Sequence, residues 1–404
     1  MKKRSIATIL VLAALPLFLG VSGGTPSSAG YRFAFESAPY AETVIGWMLG
    51  NCLEKAVESV QVSAASRDQV ASYFRAMARR LRPSAPGPDS SSETTSQAVS
   101  LLNNSPAPDP DLEQMKPAVE RRIQQQVASA LVRDGVVFRV GASDLLFPPV
   151  LFRFASLPNL LVVSPRSHIE RLTTVLLTPN LEGADAEKLE GAIDSEGYAA
   201  LVTPIGGLGV YPSMVPENAD PRWTARTVAH EWSHQFFALR PLGWRYAFGS
   251  ERDERMVIVN ETAAEIVGRE VGDRVYSEDY GGDISSSLFI SPRDKAFRDA
   301  MRDIRSGVDV LLAAGKVDEA ESYMEQSRQL LVKRGYNLRK LNQAYFAFNG
   351  SYTDELAIGG SVGDDIAARI HTLRDRYSTL GDFVWAISSL GSYDQFLAMT
   401  SAGK

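Results

Sequence analysis

The stretch that most constrains this chain runs from Asp220 to Phe237: Asp-Pro-Arg-Trp-Thr-Ala-Arg-Thr-Val-Ala-His-Glu-Trp-Ser-His-Gln-Phe-Phe. It predicts one helix. Asp220 suits the N-cap, Pro221 suits the first helical position, where its missing N–H costs nothing, and Arg240-Pro241-Leu242-Gly243 supplies the stop. Trp223, Val228, Trp232 and Phe236 give the helix apolar weight to bury, while His230 and His234 lie one turn apart on a single face. Two imidazoles at that spacing grip a zinc ion, and Glu231 is placed to act on a water beside it. The chain has four histidines in 404 residues, so a chance His-Glu-x-x-His match is on the order of a few in a thousand. The bland alternative is a helix with two ordinary histidines flanking a solvated glutamate.

The chain opens with Lys2, Lys3 and Arg4, an apolar run from Ile6 to Leu19 and then Ser27-Ser28-Ala29, the layout of a secretory signal peptide. The run of 14 residues, broken by Pro16, is short for a membrane span of about 20; Gly20 and Val21 would extend it towards an uncleaved anchor. Residues 1–29 are therefore expected to be a signal peptide or N-terminal anchor, and the protein to be exported, either secreted or membrane-anchored. Without them the formal charge moves from −6 to −9, which argues against nucleic acid or anionic lipid as the main partner. Cys52 is the single cysteine, so no internal disulfide can form, and a buried, inert thiol is expected.

Residues 30–82 read as a helical segment, with Val44, Trp47, Met48, Leu53, Val57 and Val60 on one apolar face that packs on the main body. Residues 83–111 hold six prolines and seven serines and read as a linker. A catalytic domain is expected over 112–285. It contains a helix at Pro117–Asp134, strands at 136–140, 160–163 and 172–177, a helix at Asp185–Glu196 and a strand at 198–203. Pro204 to Pro212 is rich in glycine without a nucleotide-binding pattern; it reads either as an edge for an extended peptide or as a plain turn. Ser250 to Arg269 reads as a second helix capped at Ser250, with Glu261 and Glu265 on one face and Val259, Ala263, Ile266 and Val267 on the other. Those two acids are either solvated or the source of the further ligand that a two-histidine zinc site requires. A helical C-terminal subdomain over 286–404 includes a hairpin broken at Ala314-Gly315-Lys316. The fold class is α+β.

The motif excludes some relatives. A metzincin would carry Gly at 237 and His at 240, where this chain has Phe237 and Arg240, and no Gly-Thr-x-x-Asp element follows. His-Glu-x-x-His followed by Asn260-Glu261-x-x-x-Glu265 resembles the gluzincin clan of zinc metallopeptidases, the thermolysin and zinc aminopeptidase group, over roughly residues 200–270. The 26 residues between His234 and Glu261 exceed the thermolysin-like spacing. The resemblance implies a zincin-like domain, a small mixed sheet beside metal-binding helices, acting on a peptide or protein substrate. It implies His230, His234 and Glu261 as zinc ligands, Glu231 as general base and Glu265 as the acid that orients a ligand histidine. The clan commonly adds a Tyr or His at the developing oxyanion; Tyr246 and His371 are the candidates, although His371, in mid-helix, also fits a structural role. His168 reads as structural. An aminopeptidase needs an acid for the free amine, and Glu217 and the acids near Asp253 are available. The alternative function is a zinc-binding, non-catalytic, membrane-anchored scaffold or regulator. Oligomeric state is not legible.

Overall fold

The computed structural model describes residues 33–81, 109–141, 143–179, 181–217, 219–248, 253–281, 295–349 and 361–401. The expected signal peptide or anchor lies outside them, as does the linker except for its last three residues. The described chain is α+β, mostly helical with small sheets. No described helix is long and apolar enough to cross a membrane.

Among the described residues four α-helices come first: α1 (Ala34–Ser37), α2 (Val44–Gln61), α3 (Arg67–Leu81) and α4 (Pro110–Arg133). Strands β1 (Phe138–Val140) and β2 (Ser143–Leu145) pair antiparallel. They are followed by β3 (Phe152–Phe154), β4 (Asn159–Pro165), β5 (Thr173–Leu177), α5 (Gly183–Ser195), β6 (Tyr198–Pro204) and β7 (Ser213–Val215). The remainder is helical: α6 (Pro221–Ala238), α7 (Pro241–Phe248), α8 (Glu254–Asp279), α9 (Lys295–Ala313), α10 (Val317–Lys333), α11 (Gln343–Asn349), α12 (Ser361–Arg374), α13 (Leu380–Ser388) and α14 (Tyr393–Ser401).

The three-stranded sheet has the order β5-β4-β6 and is antiparallel, with Leu161 opposite both Val175 and Val202. Side chains alternate across a strand, so each face of β4 and β6 needs its own cover. Leu161, Val163, Ala200 and Val202 pack with Leu189 and Ile193 of α5. Val162 and Leu201 point the other way, into a cluster with Met301 of α9, Met324 of α10 and Phe346 of α11. With both faces covered, these strands read as continuous apolar runs rather than alternating ones. Separately, β3 and β7 pair in parallel. The largest core joins α6 and α8 to α3, α4 and α12–α14, through residues such as Phe74, Val127, Trp232, Val267, Ile370 and Phe383.

Several expectations need correction. On α2 the buried face is Val44, Met48, Cys52 and Ala56, whereas Leu53 and Val57 are 56% and 52% exposed. The helix contains two apolar stripes, and the inner one also carries Lys55, which meets the buried Glu120 of α4. Asp109 caps α4 through Asp111 N, so the helix begins at the linker's end and runs through Pro117 rather than starting there. The strand expected at 136–140 is confined to 138–140 as half of the hairpin with β2. Residues 204–212 form no strand beyond the end of β6; their one ladder-type contact is an isolated bridge between Leu208 and Met214. The helix α8, expected from Ser250, starts at Glu254, is capped by Asp253 and extends to Asp279. Cys52 is buried, and burial pushes its thiol up to about 11.

Candidate metal centre

The helix α6 forms as its sequence directs. Asp220 accepts from Trp223 N at 2.8 Å, Pro221 occupies the first turn, and Val228, Trp232 and Phe236 are buried. Its roll about its own axis is fixed on two sides. Trp232 Nε1 donates to Pro148 O at 2.8 Å, and Gln235 Nε2 donates to Val210 O at 2.6 Å and to Ser213 Oγ at 2.8 Å. With those faces committed to the body, His230 and His234 turn towards α8.

Val259, Ala263, Ile266 and Val267 of α8 are wholly buried, which turns Glu261 and Glu265 towards α6. His234 Nδ1 lies 2.8 Å from Asn260 Oδ1, and His230 Nδ1 lies 3.5 Å from Glu265 Oε2. Each Nδ1 thus faces an acceptor, and both Nε2 atoms point inward, towards each other and Glu261. The two Nε2 atoms are 3.0 Å apart and lie 3.6 Å (His230) and 3.4 Å (His234) from Glu261 Oε2. These three residues are the one group of mutually close potential metal ligands among the described residues. Glu261 Oε2 is buried without a hydrogen-bond partner. The three donor atoms converge on one buried point and form a group able to hold a metal ion. A tetrahedral zinc with bonds of about 2.0–2.1 Å has ligand–ligand edges of roughly 3.3 Å, so the residues fit the ion.

Without an ion, the electrostatics are those of histidines paired with a buried carboxylate. Burial alone would raise the Glu261 carboxyl, but the His234 charge and the two imidazoles outweigh it and hold the carboxyl far below its ordinary range. Burial would lower both histidines; Glu261 reverses this for each, with Glu265 adding to the effect at His230, and both are raised. Glu231 is different. Burial raises its carboxyl, the two histidines pull it down, Glu261 pushes it up, and the result is a raised value.

The glycine-rich stretch is the part of the site that sequence reasoning did not anticipate. It lies across Glu231. A Cβ on Gly207 would come within 2.2 Å of Glu231 Oε1, and one on Gly209 within 3.2 Å of Oε2. Only a bare backbone fits there, so these residues roof the carboxylate. Leu208 between them is held away by its paired hydrogen bonds to Met214 of 3.0 and 3.1 Å. Asn260 was also missed as a ligand-orienting residue, although it begins the second motif.

Other candidates fall elsewhere. Tyr246 is in α7, with its side chain outside the described residues. His371 is on α12 and does not belong to the ligand cluster; its neighbours Ile370 and Leu373 pack into the core, and Arg374 clasps Glu270 of α8 at 2.8 and 2.9 Å. Glu217 accepts from the Tyr73 hydroxyl and pairs with Lys116 at 2.7 Å, and Asp253 pairs with Arg255 at 2.7 Å, so both acids are engaged rather than open to an amine. His168 is exposed beside Glu170.

One and two turns before His230, α6 and α8 are clamped by Asp273, which accepts from Arg222 Nε at 2.8 Å and from Arg226 Nε at 2.6 Å. Burial would raise this carboxyl; the two guanidinium groups win and hold it well below its ordinary 3.8. A depressed folded-state value stabilises the protein above the unfolded value, and this contribution is lost as pH falls through the folded one. Wild type should therefore lose its stability advantage over Asp273→Asn progressively below about pH 4. Urea unfolding of both at pH 7, 4 and 3 checks this; an advantage that grows on acidification would contradict it.

Comparison with protein-family models, with curated proteins and with solved structures finds no match. The functional reading rests on the residues themselves.

Proposed function

We propose that the chain is a zinc-dependent metallopeptidase of the gluzincin type, with a zincin-like arrangement of its metal helices. The observation that carries this reading is the convergence of His230 Nε2, His234 Nε2 and Glu261 Oε2 beside the roofed carboxylate of Glu231. A zinc ion held by those three side chains supplies Lewis-acid polarisation of a carbonyl and lowers the pKa of a water from 15.7 to about 7. The protein supplies the rest. Asn260 and Glu265 fix the imidazoles through their Nδ1 atoms, so that both Nε2 atoms face the ion. Glu231, beside the ligand cluster, accepts a proton from water and hands it to the leaving nitrogen. The backbone at 206–209 keeps bulk water off that carboxylate. In this reading Tyr246 or His371 is the added oxyanion donor, a peptide or protein is the substrate, and residues 1–29 direct export.

Full-length protein incubated with an unbiased peptide library tests the proposal. Cleavage is expected, abolished by a strong chelator and restored by zinc. Zinc-loaded protein that cleaves nothing, or cleavage untouched by chelation, would overturn it.

A further inference from the structure

Three ligand atoms on two helices can meet one ion only if the helices stand at the right separation. Here α6 and α8 run antiparallel in matched steps: His234 faces Asn260, His230 faces Glu265, and Arg226 and Arg222 face Asp273. At Gly268 and Gly272, α8 presents bare backbone to α6. A Cβ on Gly272 would lie 2.5 Å from Arg226 N and 2.6 Å from Arg226 Cα. One on Gly268 would lie 2.9 Å from Arg226 O and 3.0 Å from His230 Cβ. The two glycines thus bring α8 close against Arg226 and His230 of α6.

We propose that Gly268 and Gly272 are positioning residues for the metal centre, setting the helix separation at which His230, His234 and Glu261 reach a common ion. This rests on the zinc reading above. An alanine at 272 would meet backbone, which cannot swing aside, and the contact must open from 2.5 Å to the ordinary 3.4 Å, about 0.9 Å. Metal–ligand distances tolerate about ±0.2 Å, several times less. Sliding along the helices offers no relief, because Asp273, next to Gly272, is held by both arginines. Gly268 acts closer to the site, since its neighbour is the Cβ that carries the His230 ring. By contrast, a Cβ on Gly191 in α5 meets nothing within 4 Å.

The test uses full-length, metal-free protein. Zinc affinity is read by competition with a chromophoric chelator, and ligand geometry by the visible absorption of the cobalt-loaded form. Gly268→Ala and Gly272→Ala are expected to bind zinc about 10- to 100-fold more weakly, the scale at which outer supports of metal sites act. Their cobalt bands should be altered, and Gly191→Ala should match wild type in both. If Gly272→Ala does not fold, Gly268→Ala, with its smaller intrusion, carries the test, its fold checked by circular dichroism. A folded Gly268→Ala with wild-type zinc affinity and cobalt spectrum overturns the positioning role. Wild type that takes up neither metal overturns the metal centre itself, which is a different result.

Discussion

Glu231→Gln is expected to lower peptide hydrolysis by about 100- to 10,000-fold while leaving zinc uptake unchanged. The substitution keeps the shape of the side chain, so the amide still fits beneath Gly207 and Gly209, which leave no room for a Cβ at 207. An amide cannot take up a proton at the reacting water. Zinc uptake should survive because the ligand cluster consists of His230, His234 and Glu261, without Glu231. The two readouts must therefore separate. Loss of both would make Glu231 a structural or ligating group, and retention of both would remove it from the chemistry.

Trp232→Ala should cost about 3–5 kcal/mol of stability, the usual range for deleting a large buried aromatic. The ring is 1% exposed and stacks on Phe236 at 5.4 Å, and Phe236 in turn meets Trp385 edge-on at 5.5 Å. Truncation leaves a cavity inside this stack and orphans the Pro148 carbonyl that Trp232 Nε1 now satisfies. Denaturant unfolding is best measured on metal-free protein, so that zinc linkage does not add to the difference. Because the same ring fixes the roll of α6, weaker zinc binding should accompany the loss. A cost below about 1 kcal/mol would mean that this core collapses around the gap, against the packing described.

Helix α6 was legible because its signals are local: a cap at Asp220, proline in the first turn, and two histidines one turn apart. The sheet strands β4, β5 and β6 were legible as short apolar runs bounded by turn residues, and the hairpin α9–α10 by its break at Ala314-Gly315-Lys316. What failed depended on partners distant in the chain. Leu53 and Val57 continue an apolar stripe as convincing as that of Met48 and Cys52, and only the Lys55–Glu120 pair and the body of the protein decide which stripe turns inward. Asp109-Pro110 carries the same helix-start signal as Asp220-Pro221 but sits at the end of a proline-rich stretch, which hid it. The glycines at 207 and 209 invite a turn or an edge; that they are glycine because a carboxylate lies against them is visible only when Glu231 is placed beside them. Gly268 and Gly272 carry no helix-favouring signal at all, and their purpose appears only with α6 in contact.

The central claim is that His230, His234 and Glu261 hold a metal ion. Elemental analysis of purified full-length protein, wild type beside Glu261→Ala, tests it most directly. The account predicts one zinc per chain in wild type and its loss in the variant, since two imidazoles alone leave the site short of a ligand. Wild type that holds no zinc at micromolar supply, or Glu261→Ala that retains it as tightly as wild type, would contradict the account.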